Sequence, residues 1–156
     1  MSRDYAKLHF VVILWGFTAI LGELIQLESP VLVFYRVGTA GIILGILIKI
    51  IKAPGAGSKQ GRMQMLANGL LLGTHWTLFF LAVKIANVSV CMIGMATTSL
   101  WTAILEPILV KKRSFRAYEF GLGGIMIAAI ALIVGSDFNY LSGLLIAIFS
   151  AGIGTL

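Results

Sequence analysis

The chain of 156 residues has one cysteine, three prolines and only six acidic residues. A lone Cys91 excludes an internal disulfide framework and a cysteine-based metal site. Charged residues make up 12% of the sequence, about half the roughly 25% of soluble domains. Chemistry-bearing motifs are also missing. There is no G-x-x-x-x-G-K-[ST] phosphate loop, no H-E-x-x-H and no G-x-S-x-G. The "GLGG" at Gly121 opens no strand–turn–helix unit, so it is not a dinucleotide loop. No nucleophile, base and orienting group stand at acid–base spacing, and none of the His, Cys and carboxylate positions has metal-ligand spacing. An enzyme is therefore not expected, and neither is a cofactor or a metal.

What is present is apolar. Hydrophobic residues make up 59% of the chain, the mean hydropathy is +1.00, and 18 residues are glycine. A membrane-spanning helix needs about 20 mostly apolar residues. Six runs approach that length: residues 8–27, 31–51, 65–83, 88–110, 120–135 and 140–156. They are continuously apolar rather than alternating, which excludes a barrel. The fold class expected is an all-α membrane protein, a bundle of about six transmembrane helices. The first run is too long for a signal-peptide core and contains Glu23, so it is read as a span.

The net charge of +6 resembles a nucleic-acid signal until it is mapped onto the runs. Arg3 and Lys7 precede the first run. Lys49, Lys52, Lys59 and Arg62 lie around the second connection, and Lys111, Lys112, Arg113 and Arg116 in the fourth. Of the 12 basic residues, only Lys84 falls on the other side, and Arg36 lies inside a run. The positive-inside rule places the N-terminus in the cytoplasm, with the chain multi-pass in an inner or plasma membrane. The expected partner is a lipid bilayer, with no nucleic acid. The sixth run ends at Leu156 without the basic flank that alternation expects, so the chain is expected to be a fragment of a longer protein.

Polar residues inside the runs are the candidate site. Burying an arginine at the centre of a span costs at least about 2.5–3.5 kcal/mol on insertion scales. The turn "LESP", residues 27–30, places Glu23 and Arg36 equally far from its centre. At matched depth on adjacent helices the two are expected to pair across the bundle. The alternative is that Arg36 snorkels to the surface. In the fourth run Cys91, Met95, Thr98, Thr102 and Glu106 share one helical face, with Trp101 beside the threonines. This stripe reads either as a cavity wall, with Trp101 stacking on a ligand, or as interhelical packing with hydroxyls bonded to nearby carbonyls. Pro107 should produce a local kink. His75 reads either as a proton relay or as a satisfied interhelical hydrogen-bond partner. Trp76 follows it. Gly69-x-x-x-Gly73, Gly41-x-x-x-Gly45 and Gly124-x-x-x-Ala128 read as close helix packing. His9 belongs to the cytoplasmic edge, and Trp15 lies deeper in the first run.

These residues together resemble the drug/metabolite transporter superfamily, in its EamA-like branch. The likeness rests on Trp15-Gly16, on Pro30 opening the second run with Arg36 after it, and on the alanine and glycine residues that follow. It rests also on "ANVSV" before the fourth run, the basic fourth connection and the glycine-rich fifth run. The resemblance implies ten helices in two inverted five-helix repeats. Residues 1–136 would then be the first repeat, and residues 137–156 the truncated start of a second. The family's acidic position near the end of the fourth helix falls closest to Glu106, which stands several residues early.

The expected function is secondary transport, with export as the expected direction, of a small metabolite by alternating access, with protons as a candidate coupling ion. The site candidates are Trp15, Glu23, Arg36, His75, Trp76, Thr98, Trp101, Thr102 and Glu106. The chain would be completed by a missing C-terminal half, or by a homo-dimer in the manner of half-size multidrug transporters. A non-transport structural subunit is the rival from another class.

Overall fold

Among the described residues the six apolar runs fold into seven helical segments. The computed structural model describes residues 2–52, 57–110, 116–134 and 140–156, and among them there is no strand. The segments are α1 (Ser2–Leu24), α2 (Ser29–Ile50), α3 (Lys59–Ile85), α4 (Val88–Met95), α5 (Thr98–Leu109), α6 (Ala117–Val134) and α7 (Leu141–Thr155). Four stretches are long and apolar enough to cross a membrane: Asp4–Leu24, Ser29–Ile50, Lys59–Ile85 and Val88–Leu109. The fifth and sixth runs contain the shorter apolar helices Ala117–Ile130 and Leu141–Thr155. The basic residues Lys111, Lys112 and Arg113, and the "SDFN" connection, lie outside the described residues.

Local chemistry sets the helix starts. Pro30 sits in the first turn of α2, where its missing N–H removes no helical bond. The Ser58 hydroxyl caps α3 by accepting from the Gly61 N–H at 3.1 Å, and Asn87 Oδ1 caps α4 by accepting from Val90 N–H at 2.9 Å. Each cap satisfies a donor that the helix leaves open. The Asn87 cap gives "ANVSV" its structural meaning.

The fourth run is interrupted, but not at Pro107. The α5 segment continues through Pro107 to Leu109. The interruption is at Ala96–Thr97, where the Thr97 N–H bonds Gly94 O at 3.1 Å and the Leu100 N–H bonds Thr97 O at 2.9 Å. These three-residue spacings tighten the turn as in a 3₁₀ helix. The Thr97 hydroxyl reinforces the break by donating to Gly94 O at 2.7 Å.

The core gathers on α3 and α7. Phe79, Phe80 and Val83 of α3 pack with Cys91 of α4 and Ala147 of α7 in one buried cluster, joined by Ala19 of α1 and Leu32 and Val33 of α2. The sixth run therefore lies within the same core as the first four, while Ile130 of the fifth packs with Val90 and Leu144 in a second cluster. Small residues make this possible. A Cβ on Gly143 would fall 2.5 Å from that of Ala86, and one on Gly94 would fall 2.5 Å from that of Ala147. Without a strong hydrophobic drive inside lipid, such close backbone approach is a main source of helix association.

The glycines expected to pack do not. Gly41, Gly45, Gly69, Gly73 and Gly124 have nothing within 4 Å of an added Cβ. The small-xxx-small spacing was legible, but it cannot say which face finds a partner. The glycines that do pack on another helix, Gly22, Gly94, Gly123, Gly143, Gly152 and Gly154, fall outside the pairs singled out.

The end of the bundle where α1 turns into α2, termed the hairpin end, is closed. Lys84 Nζ donates to Ile25 O at 2.9 Å, which ties the end of α3 to the end of α1. Moving away from it, both outer helices leave the core. On α1, Ala19 is 1% exposed, whereas Trp15, one turn earlier on the same face, is 66% exposed. On α2, Val33 is 7% exposed and Val37, one turn on, is 56% exposed. The helices therefore diverge about one to two and a half turns from the hairpin end.

Candidate functional site

Arg36 sits where the helices begin to separate. Its guanidinium carbon lies 4.4 Å from the centroid of Trp76 and 5.7 Å from that of Phe80. Trp76 and Phe80 are one turn apart on α3, with ring centroids 5.9 Å apart and planes 27° apart, a stacked pair. Phe79 meets Trp76 and Phe80 edge-on, at 5.4 Å and 5.2 Å. Gly22 of α1 lies directly against the Phe80 ring. The three helices thus build an aromatic platform for one cation. Such a contact contributes about 0.5–2 kcal/mol, more where water is excluded.

The expected pairing of Glu23 with Arg36 does not form. The one ion pair among the described residues joins Lys7 to Asp4 at 3.5 Å. The reason is the position of the turn. α1 ends at Leu24 and α2 starts at Ser29, so the connection lies earlier than "LESP" implied. Glu23 is the second-last residue of α1, while Arg36 is the eighth of α2. At 1.5 Å per residue the two differ in depth by about 9 Å. Glu23 is exposed at the hairpin end.

His75 is engaged by α7. Its Nδ1 lies 2.8 Å from Ser150 O, and the Ser150 hydroxyl donates to His75 O at 2.8 Å. Both residues are buried, Ser150 completely. The geometry fits an Nδ1–H tautomer donating to the carbonyl, which leaves each buried polar group satisfied. Of the two readings of His75, the interhelical partner is the one observed. Ser150 was not singled out from sequence, although a serine in the middle of an apolar helix was the available signal.

The stripe on the fourth run divides between two environments. Cys91 is fully buried, with its Sγ 3.5 Å from Phe79 O, and Met95 packs on the same core. The hydroxyl of Thr98 donates to Met95 O at 2.7 Å, and that of Thr102 to Thr98 O at 2.8 Å. Both bond within their own helical run, as threonines in lipid-embedded helices do. Thr102 also lines a cavity of about 340 Å³ between α5 and α6, with Ser99, Glu119 and Gly123. Glu106 is half-buried in the last turn of α5. Trp101 is anchored to α7 and also lines a cavity. Its indole N–H donates to Ile148 O at 3.0 Å, and its ring lies against Gly152. An apolar cavity of about 300 Å³ remains beside it, walled by Ile104, Ile127 and Ile130.

A groove of about 580 Å³ lies between α2 and α3, lined among others by Val33, Val37, Gly38, Gly69, Gly73 and Thr77. Val37 and Thr77 are the residues next to Arg36 and Trp76. The open glycine pair Gly69 and Gly73 is a wall of this groove. Phe80 and Gly38, the other parts of this region, were not singled out from sequence. Phe80 was findable as the aromatic one turn after Trp76. Among the described residues no group of three or more His, Cys, Asp or Glu could hold a metal.

Apolar helices of spanning length, with polar groups either bonded within the bundle or set at a cleft between helices, define a multi-pass integral membrane protein. Residues 7–135 match the EamA-like transporter family, and the chain belongs to that family. It is consistent with the drug/metabolite transporter superfamily, and the family implies membrane transport of small molecules rather than catalysis. No curated protein and no solved structure matches the chain.

Proposed function

We propose that the chain forms one half of a secondary transporter that exports a small metabolite by alternating access. The observation that carries this reading is the divergence of α1 and α2 from α3, between Ala19 and Trp15 and between Val33 and Val37. It leaves a cleft closed at the hairpin end, with a guanidinium at its apex. Among the described residues Arg3, Lys7, Lys49, Lys52, Lys59, Arg62 and Arg116 flank the opposite end, so the cleft opens toward the cytoplasm of an inner or plasma membrane, with the N-terminus inside. The other half is an inverted repeat. Protons are the proposed coupling ion, with Glu106 the proposed carboxylate within a span.

The test is a comparison of extracellular metabolites between cells with and without the complete protein. Export should raise at least one external metabolite, and Arg36→Ala should abolish the rise. Glu28→Gln, at an exposed position whose side chain makes no helix cap, should preserve it. A protonophore should stop it. Unchanged external metabolites with the wild-type protein would sink the export reading.

A second reading has specific support. The open glycines Gly41, Gly45, Gly69 and Gly73 offer close approach to another helix, which a second copy in a half-size dimer would supply. The charge bias opposes an antiparallel pair. Reporters fused to each terminus decide that point, because a single orientation excludes dual insertion.

A further inference from the structure

We infer that the Arg36 guanidinium, laid over Trp76 and Phe80, is the recognition point for a small organic anion: a carboxylate or phosphate carried on an apolar body. The inference rests on the transporter reading and names the substrate class of its cleft.

Three observations support it. First, the arginine has no acidic partner among the described residues: no carboxylate there lies within ion-pair distance of it. The aromatic platform lies against the guanidinium, while its N–H groups form no hydrogen bond with another described residue. That planar fork matches two oxygens of a carboxylate or phosphate.

Second, the group is held deep. Arg36 is seven residues from the start of α2, Trp76 nine from the end of α3, and Phe80 five from it. Counted along each helix from its hairpin-side end, these positions lie at depths of about 11, 14 and 8 Å. The guanidinium is nearer the deeper ring, Trp76. A snorkelling arginine would reach the other way, toward the hairpin end and the headgroups.

Third, an apolar wall stands at the same level. Trp15 is nine residues from the end of α1 and shares a helix face with Ala19 and Gly22, at spacings of four and three. Ala19 and Gly22 are buried, and Trp15 is exposed where α1 leaves α3. A ligand held by its anionic group at Arg36 therefore has an indole one helix away for its apolar part.

The same oxyanion chemistry could come from a soluble metabolite or from a lipid phosphate, and the test separates them. The complete protein is purified in a phosphate-free maltoside detergent. Its tryptophan fluorescence is titrated with benzoate, phenyl phosphate and neutral benzamide, and separately with phosphatidylglycerol. A saturable change with benzoate or phenyl phosphate, absent with benzamide, is expected. Arg36→Gln should abolish it. Arg36→Lys, which keeps the charge but loses the fork, should weaken it about tenfold. Trp76→Phe should weaken it less. Thermal unfolding of each variant in the same detergent shows that the fold is kept. No response to either aryl anion, an equal response to benzamide, or survival in Arg36→Gln would overturn the inference. A response to phosphatidylglycerol alone would overturn it in favour of a structural lipid. Because binding is read without flux, anion binding without export would instead remove the transporter reading. Export without Arg36-dependent binding would remove only the anion site.

Discussion

The Ser150 hydroxyl donates to the backbone of α3 while His75 binds the backbone of α7, so the two residues exchange partners across one interface. Ser150→Ala removes one buried donor and leaves the His75 bond in place, so it should cost about 1 kcal/mol. His75→Ala removes a buried ring together with its bond to the Ser150 carbonyl, so it should cost about 2–4 kcal/mol. Thermal unfolding in detergent reads both, and equal effects would mean that the ring does not anchor α7. At this scale the sequence showed which residues are unusual but not what they meet. His75, Arg36 and Trp101 stand out because polar or amphipathic groups in apolar runs need partners. Their partners are backbone carbonyls and ring faces, which leave no trace in residue identity. The Glu23–Arg36 pairing failed for a related reason. It depended on where α1 stops, and a shift of a few residues in a helix end moves a side chain by most of a bilayer leaflet's outer third.

Helix α7 is the element most dependent on small residues. Gly143 faces Ala86 and the Ala82 carbonyl, and Gly94 faces Ala147. Gly143→Leu or Gly94→Leu should push α7 away from α3 and α4 and cost about 1–3 kcal/mol or more through overpacking. By contrast, Gly41→Ala meets nothing within 4 Å and has no positive φ to lose. It should stabilise α2 by up to about 1 kcal/mol through helix propensity. Melting curves of the three variants test the pattern, and destabilisation by Gly41→Ala would reveal a partner on that face. Helix existence was legible from apolar run length alone. The interruption at Ala96–Thr97 was not, because "ATTS" is compatible with helix. Its hydroxyls bend the backbone only when they bond carbonyls three residues back. Pro107, the obvious breaker, lies too close to the natural end of α5 to break anything.

At the scale of the whole molecule, composition and charge placement read the class and the proposed orientation, because both follow from bilayer physics rather than from tertiary contacts. The cleft was not legible, since it depends on where two helices leave a third. Its accessibility is testable through the chain's own chemistry. The single native thiol, Cys91, is fully buried and lies 3.5 Å from the Phe79 carbonyl, so the folded wild-type protein should resist a membrane-impermeant maleimide. With any cysteine outside these 156 residues replaced by serine, a cysteine introduced elsewhere then reports alone. Maleimide reacts with a thiolate, which forms in water and not in lipid tails. Val37→Cys, on the groove wall, should therefore label only if the cleft is wet. Leu32→Cys, in the closed hairpin end, should stay protected. In inside-out vesicles Val37→Cys should react, and in right-side-out cells it should not until transport turns the cleft outward. Labelling only from the outside would reverse the proposed orientation. Protection from both sides, with Arg36-dependent export intact, would mean that the path runs elsewhere in the bundle.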